Sequence, residues 1–205
     1  MSKLRYFFQE SWLLMTASVV FGVLLAVTNA AWEPKIKQNG IDKFGDLAKG
    51  LLPAAEKFEP LPDKITVNLG GGKTVDADVR RGLDASGKCV GWAFLCQGSG
   101  FADKIKMVVA ADAAFEKLTG FGILACSETP GFGDKITIKN GFFQSQFIGA
   151  PADRLSLVKI GDSKKIDGEI VAITGATVTS QAVVNILNTF MIPIKEQLRQ
   201  KGLLQ

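Results

Sequence analysis

From Ser11 to Trp32 the chain reads SWLLMTASVVFGVLLAVTNAAW, without a single charged residue. At ~1.5 Å rise per residue, a helix of this length crosses a hydrocarbon core ~30 Å thick. Trp12 and Trp32 bracket the run, as aromatics placed at the two membrane interfaces do. Lys3 and Arg5 precede it, so the positive-inside rule puts residues 1–10 in the cytoplasm and the rest of the chain on the outer side. The competing reading is a cleaved secretory signal, since Thr28-Asn29-Ala30 loosely matches a small-residue cleavage site. Either way, the chain beyond Trp32 is expected outside the cytoplasm.

That leaves enough chain for one domain of ordinary size. The 205 residues carry a net charge of +4 spread along their length, with no basic run interleaved with aromatics, so nucleic acid is not an expected partner. There is no histidine, which removes histidine-based metal sites, Ser-His triads and histidine general bases together. The three cysteines, Cys89, Cys96 and Cys126, form no C-x-x-C pair. Cys89 and Cys96 share one strand-like stretch, ~23 Å apart when extended, and read as small buried hydrophobes.

Residues 33–62 read as a juxtamembrane connector with a short helical pattern in IDKFGDLAKGLL, and 63–205 as the folded domain. KITVNL, the turn GGGK, TVDADV, KCVGWAFLC, IKMVVAADA and LTGFGILA alternate or run apolar as strands do. The GGG at Gly70–Gly72 lacks the Lys-Ser/Thr ending of a phosphate loop and reads as a hairpin turn, and GSG at Gly98–Gly100 as a loop. Val183, Val184, Leu187, Phe190, Met191, Ile194 and Leu198 recur at helical spacing. They predict a helix starting near Ser180 or Gln181, kinked or divided at Pro193. The fold class is therefore α+β: a mainly antiparallel sheet with helices packed on it.

Two motifs carry chemistry. In CSETPGFGDKI, Cys126 to Ile136, glycines and a proline shape a loop whose amides can approach a ligand, with Glu128 and Thr129 at its start. By itself it also reads as an ordinary turn after a strand. The second, ITGATVTS from Ile173 to Ser180, packs hydroxyls around Gly175 and Ala176 just before a helix whose N-terminus favours an anion. Its plain reading is an N-cap by Thr179 or Ser180.

An N-terminal span, then ETPGFGDKI, then TGATVTS before the last helix resembles the FMN-binding-domain family. Within it, the pattern is similar to the G subunit of the Rnf complex, an ion-translocating ferredoxin:NAD oxidoreductase, and to the C subunit of the sodium-pumping NADH:quinone reductase. The resemblance implies FMN held covalently, through its phosphate, on Thr177. Thr174, Gly175 and Ala176 would surround the phosphate, and Thr179 and Ser180 would continue the motif. Glu128, Thr129, Pro130 and Gly131 would lie by the flavin. The chain departs from the pattern at Val171, where an aspartate often stands, and at Cys126, where a histidine often stands.

The resemblance further implies a separate magnesium-dependent flavin transferase that uses FAD, since the motif supplies no base to activate a threonine hydroxyl. The chain would then be an electron-transfer subunit beside other membrane subunits, in the cytoplasmic (inner) membrane with its C-terminal domain outside. It would have no catalytic dyad or metal of its own and would not be a stand-alone catalyst. The GDKI ending favours the Rnf type over the quinone-reductase type. A non-redox anchored scaffold, its threonines serving only as a helix cap, is the reading from a different class.

Overall fold

The computed structural model describes residues 3–204, with side chains from Ser11 onward apart from Lys37. The expected cytoplasmic segment 1–10 thus lies partly outside the described residues. The chain forms two compact units, Met1–Asp42 and Lys43–Gln205.

In the first unit the uncharged run belongs to α1 (Lys3–Leu51), which passes Pro34 without ending. Trp12, Leu14, Phe21, Leu25 and Trp32 are all exposed. Among the described residues this is the one helix long and apolar enough to cross a membrane, and none of its apolar window is buried within the chain.

The second unit is built on an antiparallel sheet in the order β1-β4-β5-β6-β7. Its strands are β1 (Lys57–Pro60), β4 (Val79–Leu83), β5 (Cys89–Ser99), β6 (Lys104–Asp112) and β7 (Leu118–Ala125). The apolar run in β6 is unbroken because the sheet is buried on both faces. Ile105, Met107, Val109 and Ala111 join the larger core under the C-terminal helix. Val108 and Ala110, with Ala93 of β5, meet Phe44, Ala48, Leu52 and Ala55 on the other side. The IDKFGDLAKGLL pattern, expected as a short helix in a connector, is thus the end of α1 and packs as one layer of the domain.

Small residues set the spacing of that layer. A Cβ on Gly91 would stand 2.6 Å from the Ala111 carbonyl and 2.7 Å from Leu52, and one on Gly122 would stand 2.8 Å from Leu47.

The hairpin of β2 (Ile65–Asn68) and β3 (Thr74–Ala77) turns through Gly70, Gly71 and Gly72, all at positive φ. The turn expected from GGGK is therefore present, with the Asn68 side chain accepting from the Gly70 amide at 2.8 Å. A short helix α2 (Phe142–Ser145) and a parallel pair, β8 (Ser156–Val158) with β9 (Glu169–Val171), lead to α3 (Thr177–Gln200). Val171 is buried there and held at both its amide and carbonyl by Gln146, so an apolar side chain suits the position.

α3 departs from two expectations, its start and a division at Pro193. It begins at Thr177, three residues before Ser180, and it runs through Pro193 undivided to Gln200. Its apolar face, Val183 through Leu198, is buried as the spacing required.

Gly91→Ala tests the close layer: the added methyl should cost about 1–3 kcal/mol by forcing α1 off the sheet. Urea unfolding followed by circular dichroism measures this, and an unchanged midpoint would contradict the packing.

Candidate functional site

The two motifs are far apart in sequence, and one carboxylate brings them together. Glu128, only 6% exposed, accepts from the backbone amides of Phe101 at 2.9 Å and Ala102 at 3.1 Å through Oε1. Its Oε2 accepts from the Thr179 hydroxyl at 2.7 Å. Phe101 and Ala102 lie in the β5–β6 turn, and Thr179 lies in the first turn of α3. Hydrogen bonds to a charged group contribute ~1.5–3 kcal/mol each, which offsets the cost of burying it.

The crossing leaves no room for side chains. A Cβ on Gly133 would meet Thr179 Oγ1 at 2.8 Å and Glu128 at 2.9 Å. One on Gly100 would collide with the Glu128 carboxylate. Thus the second glycine of PGFG and the last of GSG are required by contact with Glu128. The GSG stretch is also less of a loop than expected, since Gly98 and Ser99 pair with Ile105 and Lys104 at the end of β5.

In the second motif the hydroxyls divide. Ser180 is fully buried: its Oγ accepts from the Ile173 amide at 3.1 Å and donates to the Ala176 carbonyl at 2.9 Å. Thr179 is committed to Glu128. Neither caps the helix, because both already lie inside it. The residue at the cap is Ala176, which makes no side-chain cap bond, and Gly175 at φ +82° turns the chain into it. The hydroxyls of Thr177 and Thr174 make no hydrogen bond among the described residues. Thr174 is exposed, and Thr177, half-buried, opens the helix.

Around that free hydroxyl lies a cleft of about 390 Å³, lined by Thr129, Gly133, Gly175, Ala176, Thr177 and Thr179 and walled by Phe101, Phe132 and Val178. Phe101 is 62% exposed and Phe132 53%, unusual for rings with apolar neighbours at hand. A Cβ on Gly175 would stand 3.1 Å from the Phe132 ring, so the ring lies close over the turn before Thr177. Of the expected residues, Thr129, Gly175, Ala176, Thr177 and Thr179 line this cleft, and Glu128 stands behind it. Ser180 is buried within the fold, and Pro130, Gly131 and Thr174 are exposed outside the lining.

Sequence reading misses Phe101, Ala102 and Phe132, and it reads Gly100 and Gly133 as loop glycines without their contact to Glu128. The FG of PGFG is their one visible signal. Cys126 is a free thiol, as are Cys89 and Cys96. Burial, and to a lesser degree the neighbouring charges of Glu128 and Asp134, push the Cys126 thiol above its usual range against the opposing pull of the Glu128 backbone hydrogen bond. Among the described residues no cluster of ligating side chains could hold a metal.

An uncapped helix N-terminus, a free hydroxyl on its first residue and flat apolar walls suit an anionic group joined to an aromatic ring. Residues 100–191, which include both motifs, match the model of the FMN-binding domain. The chain is 32% identical over 182 residues to the G subunit of the ion-translocating oxidoreductase complex of Methanosarcina acetivorans, covering 86% of this chain and 88% of the relative. It is 31% identical to the G subunit of the Na(+)-translocating ferredoxin:NAD(+) oxidoreductase complex of Acetobacterium woodii, with 88% of each chain covered. Among solved structures, NqrC of Shewanella oneidensis superposes with a TM-score of 0.52 at 26% identity, over 72% of this chain and 73% of that one.

Replacing Glu128 tests the junction. Glu128→Ala strands three donors and should cost about 2–4 kcal/mol, whereas Glu128→Gln, which keeps one acceptor oxygen, should cost about 1 kcal/mol. Denaturant midpoints separate the two. If Glu128→Ala lies within ~0.5 kcal/mol of the native chain, Glu128 does not hold the site together.

Proposed function

Because the chain belongs to the G-subunit family of ion-translocating oxidoreductase complexes and carries an FMN-binding domain, we propose that it is the covalent flavoprotein of an ion-translocating ferredoxin:NAD oxidoreductase. FMN is joined through its phosphate to Thr177. The helical run at Ser11–Trp32 anchors the chain in the cytoplasmic membrane, with the domain on the extracytoplasmic side among the other membrane subunits. The observation that carries the reading is the division of hydroxyls: Thr179 and Ser180 are consumed by the fold, and Thr177 is free at the start of α3.

These residues fit the group. The first amides of a helix lack intrahelical acceptors and the dipole favours negative charge, so α3 steadies a phosphodiester by about 0.3–1 kcal/mol. Gly175 and Ala176 leave the hydroxyl accessible, and Phe101 and Phe132 offer apolar surface to a ring. Bound FMN accepts and releases electrons singly or in pairs; the chain's own part is to hold it and shape its surroundings. No base stands within hydrogen-bond reach of Thr177 among the described residues. This is in keeping with attachment by a separate flavin transferase, as the family resemblance implies. The Thr177 oxygen bonds to the FMN phosphorus of FAD, the pyrophosphate bond breaks, AMP leaves with the electron pair and the hydroxyl proton is lost to that enzyme.

The sequence match to G subunits over most of the chain, at 32% identity, favours this reading over the quinone-reductase C subunit, matched at 26% over a smaller share of the chain.

Chain produced with its transferase should show yellow fluorescence in a denaturing gel and an intact mass raised by one FMN less water. Thr177→Ala should abolish both. Thr179→Ala should keep the flavin while losing about 1–3 kcal/mol of stability through the unpaired Glu128. A mass equal to the bare sequence would overturn the attachment at Thr177 and leave the non-redox scaffold reading standing.

A further inference from the structure

Thr177 borders two clefts, and the second is the larger. On the far side of the exposed Val178 a groove of about 640 Å³ runs along α3, lined by Thr177, Gln181, Asn185, Ile186 and Phe190 and by Gln97 of β5. It exists because Gly98 lets α3 press onto the end of β5: a Cβ there would stand 2.5 Å from Ile186. Both volumes fall in the range of small-molecule sites.

The two clefts differ in chemistry. The smaller offers phenyl rings. The groove has an apolar floor and a row of side-chain amides along its edge. The Gln181 side chain donates through Nε2 to the Asn185 side-chain Oδ1 at 2.9 Å, which leaves the Gln181 Oε1 and the Asn185 side-chain amide hydrogens unused. The Gln97 amide has no partner among the described residues. An occupant that satisfies this lining is flat, apolar over most of its area, and edged with adjacent acceptors and a donor. The pyrimidine edge of an isoalloxazine has that pattern, two carbonyls flanking an N–H, and a side-chain amide pairs with it in both directions.

We propose that the groove formed by Gln97, Gln181, Asn185, Ile186 and Phe190 is a second flavin subsite, so that a ring tethered at Thr177 rests either against Phe101 and Phe132 or against the amides of α3. This rests on Thr177 being the attachment point. A single anchor between two clefts of different lining gives the flavin two environments, one apolar and one hydrogen-bonding to its pyrimidine edge. Such bonding favours the reduced, more electron-rich ring, so the two subsites distinguish its redox states.

The test uses the flavin-loaded full chain in detergent and an indole as a contact quencher of flavin emission. Asn185 is exposed and Thr189 half-buried, and both border the groove. In Asn185→Trp and in Thr189→Trp, time-resolved emission should gain a fast component of at least about a tenth of the amplitude. Ile160→Trp, at a 93% exposed position lining neither cleft, should add none. Because an introduced indole can itself attract the ring, a second measurement omits it. In the Gln181→Ala/Asn185→Ala chain, the fraction of flavin emission open to iodide should rise above the native value. No fast component in either groove variant, together with an unchanged iodide-accessible fraction, overturns the subsite. Denaturing-gel fluorescence of the same samples reads attachment independently. A chain that carries flavin but fails both measurements loses only the second subsite, and a chain without flavin loses the attachment reading as well.

Discussion

Glu128 receives two backbone amides from the β5–β6 turn and one hydroxyl from α3, and the positions of those three donors fix the site. A carboxylate removed from water is tolerated only when donors surround it, so the turn, the PGFG loop and the start of α3 must stay in register or its desolvation is left uncompensated. Gly100 and Gly133 are part of the same requirement. Each sits where a methyl group would press on the carboxylate or its partner. The motif's glycines, which by sequence suggest approach to a ligand, are thus first an accommodation of Glu128.

The consequence reaches Thr177 by geometry alone. Thr179 is bonded to Glu128, and Ser180 is bonded back to Ala176 and forward from Ile173, so the first turn of α3 is pinned on its inner side. Successive helix residues point about 100° apart. With positions 179 and 180 facing inward, position 177 is left at the rim, and the helix starts there with no side chain capping it. A hydroxyl beside uncapped amides suits an anionic ester, whereas a capping side chain would have occupied the same amides.

Much of this is legible in the sequence. The strands from Lys64 to Ala125 alternate or run apolar in step with a sheet buried on both faces, and the α3 face reads directly from Val183 to Leu198. Capping rules misplace the start of α3 because they look for a Ser or Thr outside the helix, and here Ala176 holds that position while the hydroxyls lie within. The end of α1 escapes for a different reason. IDKFGDLAKGLL has a modest apolar face whose partners, Ala93, Val108 and Ala110, are small residues on strands far along the chain. Phe101 and Phe132 cannot be read as a pair at all, since only the bond from Glu128 to the β5–β6 turn sets them on one cleft.

The openness of the cleft bears on the tether proposed at Thr177. Phe101 and Phe132 are more than half exposed, so a ring lying on them would bury little surface, and contact alone would hold it weakly. A relay subunit benefits from that shallowness, because an exposed ring edge lets a redox partner approach. Deep burial would strengthen binding and block exchange. The covalent link proposed at Thr177 would separate the two demands, keeping the ring at high effective concentration beside the cleft whatever the contact strength. The lining would then be free to set the ring's environment instead of its residence, which would also let one anchor serve the two proposed subsites. On the proposed attachment the Glu128 junction has a second role, because a tether positions its cargo only as well as the turn that carries it is held.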